Sequence, residues 1–196
     1  MKSFWLIEGQ GHLAGRLASI CAKELLNGNK IIIVKAEKIE ISGKHIRNKL
    51  KFLVKSKKRT NTNPKRGPFH FHSPSQIFWK MVRGMLPHKT KKGTSALMKL
   101  KVFEGLPEPF NRMKKFIIPS ALRVSRLLTG RKYSILGEIA NQIGWTRKNI
   151  IDSIVWNRNI ESKLFYNQKV NSLKKKTANY NAKVSFISNL MNLNFQ

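Results

Sequence analysis

The chain has 196 residues, a length typical of one domain or of one domain with an appendage. It contains 39 Lys and Arg but only 9 Asp and Glu, so its formal net charge is +30. Because so much like charge repels itself in a compact chain, we expect a polyanionic partner rather than an ordinary metabolic function. The single cysteine, Cys21, excludes an intramolecular disulfide and a cysteine-based zinc ribbon.

The amino terminus and the hydropathy pattern bear on localisation. The apolar stretch at 4–7 is too short for the core of a signal peptide. No apolar run reaches the length needed to span a bilayer. We therefore expect an intracellular protein without a membrane partner.

The first forty residues predict a strand, a helix and a second strand. Residues 4–7 and 30–36 are short apolar runs, and residues 13–26 carry apolar side chains on one helical face. Asn27-Gly28 is typical of a helix end. Because a strand, a helix and a strand in this order form a βαβ unit, we predict an α/β layered domain with a partly parallel sheet.

The next segment predicts two helices separated by a basic loop. From Lys44 onward, an apolar stripe is predicted to pack inward and a basic stripe to lie on the opposite side. The apolar stripe is Ile46, Leu50, Leu53 and Val54, and the basic stripe is Lys44, Arg47, Lys51, Lys55 and Lys58. Residues 57–69 are basic and rich in turn formers. Ser73-Pro74 then starts a helix that ends at 84–87.

The second half predicts shorter elements. They are a helix at 94–99, strands at 102–103 and 116–118, a helix at 134–143 and a last helix capped by Thr146. Beyond about residue 160 the periodicity weakens. We expect this tail to be either helical or disordered when alone.

A glycine motif offers the alternative of a nucleotide-binding enzyme. Gly9, Gly11 and Gly15 follow a strand and open a helix, and Glu37 ends the next strand, as in dinucleotide-binding turns. The spacing G-x-G-x-x-x-G is one residue longer than the usual form, however. We therefore expect these glycines to serve a tight turn and helix packing.

Other chemical sites receive little support from the sequence. His70, His72 and His88 have no carboxylate or thiol nearby, so we expect RNA stacking or turn packing and not a metal site. Cys21 lies on an apolar helical face, which favours a core position. The acidic residues show no paired-carboxylate pattern for acid–base catalysis. We predict no catalytic residue, cofactor or small-molecule substrate.

The uneven charge distribution is the strongest signal. Residues 41–103 contain 17 Lys or Arg and no acid, and residues 162–196 contain six lysines and no acid. In the first tract, cations alternate with Gly, Pro, Asn and Thr, and Phe69 and Phe71 are available for stacking. Such a combination is typical of a surface that follows RNA phosphates.

Four sequence blocks resemble the universal ribosomal protein thirteen family of the large subunit, in its archaeal and eukaryotic form. They are GHLAGRLASICAKELLNG at 11–28, ISGKHIRNKLKFL at 41–53, NTNPKRGPFHFHSPSQIFWKMVRGMLPHKTKKG at 61–93 and LKVFEGLPEPF at 100–110. The resemblance extends from about residue 4 to 160. It implies a three-layer α/β/α fold with a four-stranded, mainly parallel sheet, basic loops and a C-terminal helical extension.

The resemblance also implies a function. The chain is expected to be a structural, non-enzymatic constituent of the large subunit that binds rRNA, contacts neighbouring ribosomal proteins and supports assembly. We expect a cytoplasmic ribosomal location, with nuclear or nucleolar assembly in a eukaryote. Residues 1–145 would form the rRNA-binding core with a basic arm at about 57–74, and residues 146–196 a basic helical extension. An RNA-binding regulator acting off the ribosome is the main alternative.

The matching blocks supply the predicted rRNA contacts. Those carried over from the family are Arg16, Arg47, Lys49, Lys51, Lys58, Arg59, Lys65, Arg66, Arg83, His88, Lys89, Lys91 and Lys92. The basic helical stripe adds Lys44 and Lys55, and the 61–93 block adds His70 and His72. His72 stands where the family usually has Arg, so we expect a weaker or pH-sensitive contact there.

Overall fold

The computed structural model describes residues 4–193, without the side chains of Ala182 and of residues 185–193. Residues 1–3 and 194–196, the ends of the two predicted domains, lie outside the described residues. The chain divides into two compact units, residues 1–151 and 152–196.

The secondary structure alternates between strands and helices in the first unit. The strands are β1 (Phe4–Glu8), β2 (Lys30–Val34), β3 (Glu40–Ser42), β4 (Leu100–Val102) and β5 (Tyr133–Ile135). Its helices are α1 (Ala14–Leu26), α2 (His45–Lys57), α3 (Pro74–Met85), α4 (Lys91–Met98), α5 (Arg123–Arg126) and α6 (Leu136–Ile143). A last helix, α7 (Lys148–Leu193), begins at the end of the first unit and continues through the second.

A parallel sheet forms the centre of the first unit. Its strand order is β1-β2-β4, with Ile7 opposite Ile33 and Ile33 opposite Val102. The predicted βαβ unit is confirmed, since α1 connects the parallel strands β1 and β2. A parallel pair needs such a crossover because its strands run in the same direction.

The main core lies against one face of this sheet. Ile7, Ile31, Ile33 and Leu100 share that face by register, and all four are buried in one cluster with residues of α1, α3 and α4. In α1, Leu17, Cys21 and Leu25 recur at i, i+4 and i+8 and are at most 1% exposed. The helix therefore forms because its apolar stripe covers the sheet.

A fourth strand was predicted at 116–118, but the sheet has three strands plus an isolated bridge at that place. Phe116 pairs with Ile7 in a single parallel bridge. Its N–H donates to the carbonyl of Leu6 at 2.7 Å, and its carbonyl accepts from the N–H of Glu8 at 3.1 Å. The predicted strand is thus reduced to one bridge residue, which lies beside β1.

A second, two-stranded sheet was not predicted. Strands β3 and β5 pair antiparallel, with Ile41 opposite Ser134. Each has only three residues, which is too short for an alternating hydrophobic pattern to be recognised. The sheet carries the amino end of α2 and the loop before β5.

Helix α2 forms where it was predicted but packs on a different face. Ile46, Leu50 and Val54, from the stripe expected to pack inward, are 70%, 54% and 57% exposed. The buried residue is Asn48, whose Nδ2 donates to Ser134 Oγ at 2.6 Å and to the Ser42 carbonyl at 3.2 Å. The predicted packing stripe was wrong because a buried polar network, not the apolar stripe, fixes the helix rotation.

The later helices agree with prediction to within a few residues. Helix α3 begins at Pro74, and Ser73 Oγ accepts from the Gln76 N–H, as the capping pattern predicted. Helix α4 starts at Lys91, three residues before the predicted start, because Thr90 caps it. Helix α6 covers most of the predicted 134–143 helix, whose first residues belong instead to β5.

Helix α7 extends through the polar tail to Leu193. It begins two residues after Thr146, and its apolar residues are distributed around the helix instead of forming one stripe. Across residues 4–193, no helix combines the length and the apolar character needed to cross a membrane.

Candidate nucleic-acid interface

The predicted contacts occupy five parts of the first unit. Arg16 lies on α1, and Lys44, Arg47, Lys49, Lys51 and Lys55 lie on or directly before α2. Lys58, Arg59, Lys65, Arg66, His70 and His72 lie in the arm between α2 and α3. Arg83 lies on α3, and His88, Lys89, Lys91 and Lys92 form the turn into α4.

Most of these cations project into solvent. On α2, Lys44, Arg47, Lys51 and Lys55 are exposed and Lys49 is half-buried. They are not segregated from the apolar side chains, since Ile46, Leu50 and Val54 lie on the same exposed side. The helix therefore presents a mixed surface of cations and aliphatic groups.

The arm is an exposed but internally bonded loop. A short 3₁₀ turn spans Pro64–Arg66, and Asn63 Oδ1 accepts from the Lys65 N–H at 3.1 Å. At the base of the arm, His70 Nε2 lies 2.7 Å from the carbonyl of Lys58. Lys58, Arg59, Lys65 and Arg66 are all exposed. The arm thus holds four cations outward from a closed base.

Lys80 anchors the second half of the arm, and sequence reasoning missed it. Its Nζ donates to the carbonyl of Phe69 at 2.5 Å and lies 5.3 Å from the centroid of the Phe71 ring. Burial, with the nearby charges of Lys55 and Arg83, lowers the pKa of Lys80. A bound phosphate would relieve this repulsion. The sequence offered one signal for a contact here, since Lys80 lies in the acid-free tract 41–103. Lys80 was not selected because it lies on the partly buried side of α3.

The turn into α4 is rigidly built. Thr90 Oγ1 accepts from the Gly93 N–H at 3.2 Å and donates to the Pro87 carbonyl at 2.8 Å. A Cβ on Gly93 would overlap the carbonyl of Pro87, so glycine is needed there. Lys89, Lys91 and Lys92 are exposed on this turn.

Two of these lysines occupy an unfavourable position in the isolated protein. Lys91 and Lys92 lie in the first turn of α4, which contains no acidic residue. The amino end of a helix carries partial positive charge and favours anions. An external anion at this turn would interact favourably with both lysines and with the helix end.

The histidines mostly serve local structure. His70 contacts the Lys58 carbonyl, and His88 Nδ1 lies 3.3 Å from the carbonyl of Leu86. His72 is exposed. Among residues 4–193, no group of three or more His, Cys, Asp or Glu is arranged to hold a metal ion.

Four acidic residues of the first unit are engaged away from the predicted contacts. Glu8 pairs with Lys35 at 2.5 Å, and Glu40 with Arg123 at 2.6 Å. Glu104 accepts from the Ser75 hydroxyl at 2.9 Å, and Glu24 from Asn29 at 2.7 Å. Within the described part of the chain, none of the predicted contacts forms an ion pair. Their charge is left for an external anion.

The glycine turn is used for packing and not as a phosphate cradle. Gly11 has a φ of +74°, and a Cβ on Gly9 would lie 2.9 Å from Ile39. The N–H of Leu13, at the start of α1, donates to the Ala121 carbonyl at 2.8 Å. Gly15, in contrast, has no heavy atom within 4 Å of the position that a Cβ would occupy, so its predicted packing role is wrong.

The acidic end of the proposed nucleotide motif also points inward. Glu37 is 7% exposed, and its Oε2 accepts from the Gly105 N–H at 2.8 Å. Burial raises the pKa of this carboxyl. Glu37 therefore holds the segment after β4 and does not reach a ribose. Burial likewise raises the pKa of the Cys21 thiol to about 12, which fits its predicted core position.

A further basic region escaped the sequence reasoning. Residues 109–137 contain seven Lys or Arg and no acid, the same signature that marked 41–103. The cations are Arg112, Lys114, Lys115, Arg123, Arg126, Arg131 and Lys132. The tract was overlooked because it is shorter than 41–103 and lies between two acids, Glu108 and Glu138. Arg123, Arg131 and Lys132 of this tract line a groove with the amino end of α2.

Two comparisons with known proteins agree on a family. A family model described as Ribosomal protein L13 matches residues 2–109, which include all the predicted contacts. The chain is also similar to the large ribosomal subunit protein uL13 of Spodoptera frugiperda, with 45% identity over 182 residues. That similarity covers 92% of this chain and 89% of the insect protein.

Proposed function

Because this chain belongs to the ribosomal protein L13 family, we propose that it is a structural constituent of the large ribosomal subunit that binds rRNA and supports subunit assembly. It is a structural protein and not an enzyme. Its partners are large-subunit rRNA and neighbouring ribosomal proteins, and it resides on the ribosome. Nuclear or nucleolar assembly before export is part of the proposal, since the similar protein comes from an insect.

The unpaired basic surface is the observation that carries this proposal. The arm and the turn into α4 present exposed cations, whereas Glu8, Glu40 and Glu104 have partners elsewhere in the first unit. When such cations neutralise phosphates, counterions are released and binding becomes favourable and salt-dependent. The small α/β core then acts as the platform that positions them.

Finer features of the organisation belong to the same proposal. We infer that residues 1–145 carry most of the rRNA contacts and that residues 146–196 form a second, basic contact. The division of the chain near residue 151 supports this inference. We also infer that the segment at Phe116 completes a four-stranded, three-layer core in the assembled subunit. Its bridge to Ile7 supports that inference.

Sedimentation of the tagged protein from a cell lysate tests the proposed function. We expect the protein to sediment with large subunits, to resist release by moderate salt and to move to the top of the gradient after RNase treatment. A protein found mainly in a free pool in growing cells would contradict the structural role. A protein found on other RNAs but not on subunits would favour the off-ribosome regulator instead.

A further inference from the structure

A groove beside the amino end of α2 combines cations with an exposed aromatic ring. It is lined mainly by Lys44, His45, Arg123, Arg131, Lys132 and Tyr133. No carboxylate is among the described residues that line it. Arg123, Arg131, Lys132 and Tyr133 lie beyond residue 109, outside the range that the family model matches. None of these four was among the contacts predicted from the sequence.

One of the groove cations packs against the Tyr133 ring. The guanidinium carbon of Arg123 lies 4.1 Å from the ring centroid, which is a close cation–π contact. Arg123 is held there by Glu40, whose Oε2 lies 2.6 Å from Arg123 Nε and whose residue is 9% exposed. Tyr133 itself remains 41% exposed. Tyr133 therefore keeps accessible surface beside the groove that it lines.

The backbone around the ring is fixed by hydrogen bonds. Tyr133 pairs with Ser42 in the antiparallel ladder of β3 and β5. The Gly43 N–H donates to the Lys132 carbonyl at 2.8 Å, and the Arg131 N–H donates to the Leu128 carbonyl at 3.1 Å. A ring whose backbone is held in this way loses little conformational entropy on binding, so the stacking surface is preorganised.

We propose that this groove binds a single-stranded segment of RNA, with one base stacked on Tyr133 and the adjacent phosphates contacted by Lys44, Arg131 and Lys132. The inference rests on the proposed function and adds the mode of recognition at a second surface. An acidic protein segment would use the cations but not the flat ring. A base uses both, because every base has a π-face that stacks on an aromatic ring.

The test separates stacking from charge by comparing two fluorescent probes. One is a 12-nucleotide oligoadenylate, and the other is an abasic oligomer with the same number of phosphates. All proteins are full-length and carry Lys58, Arg59, Lys65 and Arg66→Gln, so that the arm does not dominate binding. The variants are Tyr133→Ala, Tyr133→Leu and Tyr133→Phe. The matched control is Met98→Ala, which removes another large exposed side chain outside the predicted contacts and outside residues 146–196.

We expect Tyr133→Ala and Tyr133→Leu to weaken oligoadenylate binding by about 5- to 100-fold, as for loss of one stacked base. Tyr133→Phe and Met98→Ala should bind as the parent does, and all of the proteins should bind the abasic oligomer alike. Tyr133→Leu retains an apolar side chain, so it keeps the test valid should Tyr133→Ala unfold.

Three results would overturn the inference. Equal weakening on both probes would show that the ring does not stack on a base. No weakening on either probe would show that the Tyr133 ring takes no part in RNA binding. Loss of Tyr133→Leu from large subunits without weaker oligoadenylate binding would assign the groove to a protein neighbour. Failure of the wild-type protein to sediment with large subunits would instead refute the proposed function itself.

Discussion

His12 shows how one buried polar side chain joins distant parts of the chain. The residue is fully buried. Its Nδ1 lies 3.0 Å from the Gln10 carbonyl, and its Nε2 lies 3.0 Å from the Ile118 nitrogen. Since the Ile118 N–H is a donor, Nε2 must accept and the proton must sit on Nδ1. The neutral imidazole thus ties the glycine turn to the segment beside β1.

This geometry predicts a pH-dependent stability. Burial lowers the pKa of His12 from its ordinary 6.5, because the charged form is poorly solvated. The unfolded chain therefore takes up the proton first as the pH falls. Stability from this residue is complete above about pH 6.5 and decreases as the pH falls towards the folded-state pKa.

Chemical unfolding at pH 7.5 and 5.0 of the wild type and of His12→Gln measures this effect. We expect the variant to lose about 1–3 kcal/mol at pH 7.5, since a buried partner is removed. Its free energy of unfolding should then decrease less than that of the wild type between the two pH values. An identical decrease in both proteins would show that His12 is not the responsible group.

At the scale of secondary-structure elements, α2 shows that the residues a helix buries depend on the partners around it and not on apolar periodicity alone. Asn48 is 4% exposed and bonded to Ser134, whose hydroxyl also contacts the Ile41 carbonyl at 3.3 Å. These bonds connect α2, β3 and β5. Leu50, in contrast, is 54% exposed although the periodic pattern placed it in the core.

Replacing the polar Asn48 of α2 should therefore destabilise the protein more than replacing the apolar Leu50. Asn48→Ala should lower the free energy of unfolding by about 1–3 kcal/mol, because it leaves buried polar groups unpaired. Leu50→Gln should change it by no more than about 0.5 kcal/mol, as is usual for surface positions. Urea unfolding of both variants checks this. The opposite order would support the apolar packing stripe predicted from the sequence.

The elements that the sequence predicted well are those determined locally. The βαβ unit and the start of α3 depend on apolar spacing and on a capping serine within a few residues. The pairing of β3 with β5 joins residues about ninety positions apart in the chain. The ion pair of Glu40 with Arg123 joins residues about eighty positions apart. A single sequence carries no signal for such contacts. For the same reason the Tyr133 groove was not predicted.

At the scale of the whole molecule, acidic and basic side chains occupy different positions in the fold. Glu8, Glu37, Glu40 and Glu104 are paired or buried within the first unit, while the arm cations stay exposed. The composition predicted the class of partner because a net charge of +30 must be neutralised by a polyanion. The cations that engage rRNA remain a prediction from the matching sequence blocks.

The salt dependence of rRNA binding tests this central claim most directly. Lys58, Arg59, Lys65 and Arg66 would be replaced together by Gln, and binding to rRNA extracted from large subunits measured over a range of KCl concentrations. The control replaces Lys23, Lys30 and Lys101, which are exposed and lie outside both the predicted contacts and residues 146–196, and its slope change is compared per charge removed. Thermal unfolding of both variants checks that the fold is intact.

We expect the arm variant to flatten the slope of log affinity against log salt by about 3 to 4 units, at about 0.7–0.9 per phosphate contact. The control should change the slope much less, and neither variant should shift the melting temperature, since all seven side chains are exposed. An unchanged slope in a folded arm variant, or an equal change in the control, would show that the arm is not a specific rRNA contact.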